Sequence, residues 1–157
     1  MKFLLLLVFL FVMTTEFSIA QKYYTPKTGT AERKEIMDAL RPVMENYLGV
    51  PVKFVIDELR VLRTSNGSYC WVTFEPQNPK TNKIYTIEET AQKENADQFD
   101  SGMKTYAIMS WHVKDKCWYV QQYVTAPTDV AWGCWWKEFN FPKELFPYTE
   151  NECTPVE

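Results

Sequence analysis

The sequence lacks the motifs on which most enzymes depend. It has a single histidine, His112, no glycine-rich phosphate loop and no Gly-x-Ser-x-Gly nucleophile turn. No two cysteines stand at the short spacing of a zinc site, and no internal repeat is visible. The sequence therefore names no activity, and we expect neither a metal nor a cofactor.

Clusters of lysine or arginine are also missing. The 157 residues carry a formal net charge of −3 and contain no basic run. Phosphate binding needs a clustered basic surface, so nucleic acid is excluded as an expected partner.

Only one long apolar run is present, from Phe3 to Met13. It follows Lys2 and precedes the small residues of Ser18-Ile19-Ala20. About eleven apolar residues are too few for a hydrocarbon core that needs roughly twenty. This pattern predicts a cleaved signal peptide over residues 1–20 and a secreted or periplasmic chain without membrane insertion. The remaining residues, 21–157, suit a single domain.

The first half of this domain predicts a helix and a hairpin. Thr28 or Thr30 can cap a helix that starts near Ala31, and apolar residues recur at helical spacing. Gly49 and Pro51 would stop it, and Pro42 should bend it or divide it in two. The helical apolar positions are Ile36, Leu40, Val43 and Tyr47.

The strand predicted over Val52 to Leu62 should turn at Asn66-Gly67 and return through Tyr69 to Glu75. Its expected faces are Val55, Leu59 and Val61 on one side, and Phe54, Ile56 and Leu62 on the other. Asn66-Gly67-Ser68 also matches a glycosylation acceptor, although the turn alone explains these residues.

The second half predicts a longer hairpin and an aromatic tail. Tyr106 to Val113 and Trp118 to Val124 have strand composition, and four of the six tryptophans lie between positions 118 and 136. Residues 76–103 form a polar connection, with a possible helix from Ile87 to Phe99, and are either a solvated loop or a lid. These elements predict an α+β fold: a curved antiparallel sheet of about four strands packed on one N-terminal helix, with an aromatic-rich C-terminal segment.

The four cysteines indicate disulfides in an exported chain. In a simple meander, Cys70 and Cys117 fall at the same end of the sheet, which leaves Cys134 and Cys153 to fasten the tail. We therefore expect the pairs Cys70–Cys117 and Cys134–Cys153.

Two residues could take part in proton transfer. Asp129 stands beside the tryptophan-rich segment, where burial could raise its pKa, but it also suits a capping role. His112 is the residue type most often used as a general base, but it has no evident partner outside the turn at Lys114 and Asp115.

Six segments together carry a resemblance: Thr28-Gly29-Thr30-Ala31-Glu32-Arg33, Leu40-Arg41-Pro42, Leu59-Arg60-Val61, Phe99-Asp100-Ser101-Gly102, Pro127-Thr128-Asp129-Val130-Ala131-Trp132 and Leu145-Phe146. They look like those of a family of small exported bacterial proteins without an assigned activity, from which this chain departs in having four cysteines. The final hairpin is also similar to that of cystatin-like, nuclear-transport-factor-two-like domains, in which a curved sheet wraps a helix around a cone-shaped pocket. Neither resemblance supplies catalytic residues.

Two functional hypotheses follow. The favoured one is a non-catalytic binding or interaction protein that uses Trp132, Trp135 and Trp136 to hold a protein or small-molecule ligand. The alternative is an enzyme in which Asp129, with His112 or Tyr106, acts on a small substrate in a cone-shaped pocket. The tail aromatics are also expected to brace the sheet, because their apolar area is too large to leave in water.

Overall fold

A computed structural model describes residues 22–99, 102–150 and 153. The predicted signal peptide and the cleavage point at Gln21 lie outside the described residues. The main elements are helix α1 (Ala31–Leu48), strands β1 (Lys53–Thr64), β2 (Gly67–Gln77), β3 (Thr105–His112) and β4 (Cys117–Thr125), and the short helix α2 (Trp135–Glu138). Three 3-10 turns lie at Ile87–Glu89, Lys93–Gln98 and Lys143–Leu145.

Helix α1 begins and ends at the predicted signals. The Thr30 side chain accepts a hydrogen bond from the Arg33 backbone N–H at 3.4 Å. Gly49 ends the helix at a φ of 69° and donates its N–H to the Glu45 carbonyl. A Cβ at Gly49 would stand 2.8 Å from the Ala91 Cβ, so both the positive φ and the close approach of the chain favour glycine.

The buried face of α1 differs slightly from the predicted one. Ile36, Leu40, Met44 and Leu48 are buried, four residues apart in each case. Val43 and Tyr47, which were expected on this face, are only half-buried. The helix continues through Pro42, so it is not divided in two there, and the alternative, a bend at Pro42, stays a prediction. Pro42 is exposed on the solvent side, where the loss of its N–H leaves no buried carbonyl without a partner.

The four strands form one antiparallel sheet in the order β1-β2-β3-β4, as the simple meander predicts. In the first turn Thr64 pairs with Gly67, and the Asn66 N–H donates to the Thr64 hydroxyl. Asn66 is exposed, and its glycosylation stays a prediction.

A β-bulge between Ile56 and Glu58 changes which residues of β1 share a face. Phe54 and Ile56 pack on the same apolar cluster as Leu59 and Val61, whereas Val55 is exposed. The predicted division of β1 into two faces is therefore wrong. The extra residue shifts the two-residue alternation by one place, and strict alternation cannot foresee that shift.

The sheet separates two apolar cores. Cys70, Val72 and Phe74 of β2 pack with α1 in the first, which we call the helix-side core. Trp71, the alternate residue, packs in the second with the C-terminal segment, and we call this the aromatic core. Because neighbouring side chains of a strand point to opposite faces, the molecule has three layers: helix, sheet and C-terminal segment. The predicted α+β architecture is confirmed.

Residues of the connection between β2 and β3 pack against the end of α1. The Tyr85 hydroxyl donates to the Pro51 carbonyl at 2.9 Å, and the Ala91 N–H donates to the Leu48 carbonyl at 2.7 Å. Tyr85 and Ile87 are buried in the helix-side core. Most residues of the described part of this connection are exposed, as expected for a solvated loop, and a few buried residues anchor it to the core. Two 3-10 turns replace the helix predicted over residues 87–99.

One of the two predicted disulfides is present. Cys134 is bonded to Cys153 with the Cα atoms 5.6 Å apart, and the bond fastens the tail to α2. The Lys137 ammonium donates to the Cys153 carbonyl at 2.8 Å and adds a second tie at the same place.

The predicted Cys70–Cys117 disulfide is wrong, because both thiols are free. Cys70 pairs with Met109 of β3, so β4 lies one strand further away. Two strand spacings amount to about 9.6 Å, beyond the roughly 7 Å that a disulfide can span. Moreover, Trp118 faces the helix-side core with Cys70, so the preceding Cys117 points to the other face.

No helix within the described ranges has the length and apolar character needed to cross a bilayer.

Candidate ligand-binding cleft

A cleft of about 480 Å³ opens where β4 ends beside the last turn of α1. Its volume lies within the ~300–1,000 Å³ range of small-molecule sites. The helix, the turn before β3, strand β4 and the chain that follows β4 each contribute a wall. The lining residues are Tyr47, Gln98, Phe99, Gln122, Tyr123, Val124, Thr125, Pro127, Thr128, Asp129 and Ala131.

Two tyrosines form an aromatic wall of the cleft. The rings of Tyr47, from α1, and Tyr123, from β4, meet edge to face with centroids 5.2 Å apart. Burial raises the pKa of Tyr47, the nearby Tyr123 adds to the rise, and the Thr125 hydroxyl opposes it. The Tyr47 phenol therefore stays protonated at neutral pH and can donate a hydrogen bond.

Asp129 supplies the only charged side chain among the described residues of the lining. It is exposed, and one carboxylate oxygen, Oδ1, accepts a hydrogen bond of 2.6 Å from the Val130 N–H. This contact is with the N–H of the next residue, so it is not the helix cap that the sequence suggested, in which the side chain bonds an N–H two or three residues on. Within the described part of the chain no hydrogen bond reaches Oδ2, so that oxygen can accept one from a ligand.

His112 lies at the opposite end of the sheet. Thr105 pairs with Thr125 beside the cleft, whereas His112 pairs with Cys117 at the far end of β3. Seven steps of about 3.3 Å separate the two ends, or roughly 23 Å. His112 does not line the cleft, so the structure does not bring the two candidates for proton transfer together.

His112 instead belongs to an exposed cluster on the turn between β3 and β4. Its Nδ1 lies 2.7 Å from Asp115 Oδ2, which also accepts a 3.0 Å hydrogen bond from the Tyr119 hydroxyl. The hydrogen bond with Asp115 is the main cause that raises the pKa of Tyr119 to about 12, and a hydrogen bond with Cys117 adds to the rise. No group of three or more histidine, cysteine or acidic residues in the described ranges is arranged to hold a metal ion.

The three tryptophans predicted to bind a ligand are largely packed within the protein. Trp135 is only 5% exposed. Trp132 stacks on Tyr106 with centroids 3.9 Å apart, and Lys143 lies over the Trp136 ring at 4.9 Å. The indole Nε1 atoms of Trp132 and Trp136 are buried and have no hydrogen-bond partner. The bracing role expected for these rings agrees with this packing.

A second cavity of about 380 Å³ is also lined by Phe99. Tyr85, Ile87 and Gly102 are among the residues that line it. It contains one carboxylate, Glu88, whose pKa is lowered by a hydrogen bond with its own backbone and another with the Thr86 side chain. The residues that line this cavity come from the connection between β2 and β3, and fewer of them are aromatic than in the cleft beside β4.

The sequence singled out Asp129 but not the tyrosines beside it. Tyr47 was expected to be a buried helix residue, and Tyr123 an ordinary strand residue. They meet only because α1 crosses the sheet beside β4, a tertiary relation that no local pattern contains. No protein-family model, no curated protein and no solved structure matches this chain.

Proposed function

We propose that the protein is an exported, non-catalytic binding protein that takes a small organic ligand in the cleft between α1 and β4. The observation that carries this proposal is the lining itself. Tyr47, Phe99 and Tyr123 offer apolar area, while Asp129 and several amide and hydroxyl groups stand where they can orient a ligand. Apolar walls with a few converging polar groups are typical of small-molecule sites.

Binding has more support than catalysis. The alternative hypothesis combined Asp129 with His112, but the two ends of the intervening strand are roughly 23 Å apart. Of the described residues that line the cleft with Asp129, none is a second aspartate, a glutamate or a histidine. A general acid or base must lie within hydrogen-bond reach of the reacting proton, together with a group that orients it.

A small ligand also has more support than a protein partner. The tryptophans that would anchor a protein interface are engaged in the aromatic core or half-buried against it. Ring area that already contacts Trp71 or Tyr106 gives little further burial to a partner.

Export to the periplasm or the medium is part of the proposal. The charge and apolar run of residues 1–20 support it, and the Cys134–Cys153 bond suits an oxidising compartment. The resemblance to small exported bacterial proteins and to cystatin-like domains agrees with this assignment and stays a proposal.

A fragment screen with a variant that blocks the cleft tests the binding function. Ala131 is exposed and lines the cleft, so Ala131→Trp should fill the space without disturbing either core. We expect fragments detected by ligand-observed NMR on the parent protein to lose their signal on this variant.

Ala31→Trp is the matched control, because Ala31 is an exposed alanine at the first position of α1, away from the cleft. It should bind the same fragments as the parent. Fragments that bind equally to the parent and to Ala131→Trp, or a screen without any binder, would reject the cleft as a ligand site.

A further inference from the structure

The charge in the described lining of the cleft is negative. Among the described residues that line it, Asp129 is the only one with an acidic side chain, and none is a lysine or an arginine. Lys104 lies close to the cleft, because its backbone carbonyl accepts a hydrogen bond from the N–H of Ala126, the residue before the lining residue Pro127. Its ammonium group, however, forms an ion pair with Asp57. The cleft therefore presents an uncompensated carboxylate to whatever enters it.

The aromatic wall adds to this preference. The faces of tyrosine rings carry partial negative charge and attract a cation within about 6 Å of the ring centre. Tyr47 and Tyr123 meet edge to face, so their ring planes differ by 67° and form two sides of a corner. A compact cation in such a corner can contact one ring face while its substituents contact the other ring.

The carboxyl end of α1 contributes in the same direction. Tyr47 lies in the last turn of the helix, which contains no basic residue. The carboxyl end of a helix carries a partial negative charge that lysine, arginine or histidine commonly offsets. The Tyr47 and Leu48 carbonyls already accept hydrogen bonds from Gln92 and Ala91. The helix end therefore acts on a ligand through its electrostatic field and not through a free carbonyl acceptor.

From these three observations we propose that the cleft selects ligands in which a positively charged nitrogen, an ammonium or an alkylated amine, is attached to an apolar or aryl body. This inference rests on the binding function proposed above and names its ligand class. The nitrogen lies between Asp129 and the Tyr47–Tyr123 corner, and the body lies along Phe99 and Pro127. Anions are disfavoured, because the part of the cleft wall that the structure describes offers no cationic side chain to receive them.

Three probes of nearly equal shape test the inference. They are 2-phenylethylamine, which is a cation, 2-phenylethanol, which is neutral, and 3-phenylpropanoate, which is an anion. Titration followed by protein NMR should give the tightest binding for the amine and the weakest for the carboxylate. Asp129→Asn, which keeps the oxygen that bonds to Val130, should weaken amine binding about fivefold and leave the alcohol unchanged.

Asp115→Asn is the matched control, an exposed aspartate at the other end of the sheet. It should leave the affinity for the amine unchanged. Tyr123→Leu should weaken the amine more than the alcohol, by roughly threefold or more, because it removes a ring face but retains apolar area.

The outcomes separate the two proposals. Equal binding of alcohol and amine, or tighter binding of the carboxylate, overturns the cation inference while the cleft remains a ligand site. An Asp129→Asn variant that binds the amine as well as the parent also overturns it. If none of the three probes binds, the aryl-amine class is rejected, and the fragment screen with Ala131→Trp decides the binding function separately.

Discussion

Two arginines of β1 form ion pairs of the same length in different surroundings. Arg60 reaches Glu58 and Arg63 reaches Glu32, each at 2.6 Å. The Arg60 side chain is 12% exposed, lies 4.4 Å from the centre of the Tyr23 ring and donates to the Leu145 carbonyl. The Arg63 side chain is 63% exposed. Burial rather than distance should therefore decide what each pair contributes.

We expect Arg60→Met to lower the free energy of unfolding by about 2 kcal/mol, because Oε1 of the half-buried Glu58 and the Leu145 carbonyl lose the guanidinium, while Glu58 Oε2 keeps its hydrogen bond from Trp71 Nε1. Arg63→Met should change it by roughly 0.5 kcal/mol or less, as is usual for exposed pairs. Urea unfolding of the two variants measures both values. Equal losses of unfolding free energy would show that the burial of Arg60 beneath Tyr23 and Leu145 adds nothing to the strength of its ion pair.

The two free cysteines should differ in reactivity. Cys70 is fully buried, and burial raises the pKa of its thiol, whereas Cys117 is partly exposed on the turn side of β4. Thiolate is the reactive form, so a maleimide reagent should label only Cys117 in the native protein and Cys70 only after unfolding. Mass spectrometry of the labelled peptides checks this, with Cys117→Ser as the control that should remain unlabelled when folded. Rapid native labelling of Cys70 would contradict its placement in the core.

At the scale of elements, the sequence predicts what local chemistry controls. Thr30 and Gly49 mark the ends of α1 because capping and a positive φ depend on one or two residues. The faces of β1 were not predictable, because the bulge before Glu58 depends on how β1 pairs with β2 and no local sequence motif marks it. The Cys70–Cys117 prediction failed similarly, because it used the end of the sheet and ignored the strand between them.

The candidate site divides in the same way. Asp129 could be identified because a carboxylate after Pro127-Thr128 beside tryptophans is unusual within the sequence. Tyr47 and Tyr123 could not, because each has an ordinary role in its own helix or strand. Their encounter depends on how α1 lies across the sheet, and that is settled by packing of the whole core.

The C-terminal element depends on its disulfide. Cys134 and Cys153 are separated by 19 positions, and the bond holds the tail against the start of α2. Replacing both with serine should lower the free energy of unfolding by about 3 kcal/mol, the value expected for closing a loop of this size. Thermal unfolding with and without reductant measures the effect. Reductant should change the melting temperature of the parent but not of the double variant, and an unchanged parent would contradict the prediction.

At the scale of the whole molecule, the sheet is stable only if both faces are covered. Helix α1 covers one face, and the aromatic core covers the other, where Trp71 is fully buried. Trp71 contacts Trp132, Trp135 and Phe146, with ring centroids 5.4 to 6.5 Å apart. The C-terminal segment therefore acts as the third layer of the fold rather than as an appendage.

Removal of that layer should unfold the protein. We expect a chain truncated after Thr125 to lose its cooperative thermal transition, because Leu62, Trp71 and Ile108 would face water. Burial of one large aromatic is worth roughly 3–5 kcal/mol, against a total stability of about 5–15 kcal/mol for a domain. A truncated chain that melts cooperatively near the temperature of the parent would contradict the three-layer account.

A graded pair of substitutions makes the same test without removing the tail. Phe146 is buried against Trp71 and Phe141, whereas Tyr148, two residues later, is 53% exposed. Phe146→Ala should cost roughly 3–5 kcal/mol of unfolding free energy, and Tyr148→Ala roughly 0.5 kcal/mol or less. Denaturant titration distinguishes the two. If both changes were nearly neutral, the aromatic segment would lie on the sheet without stabilising it, and its rings would have to be reconsidered as a surface for a partner.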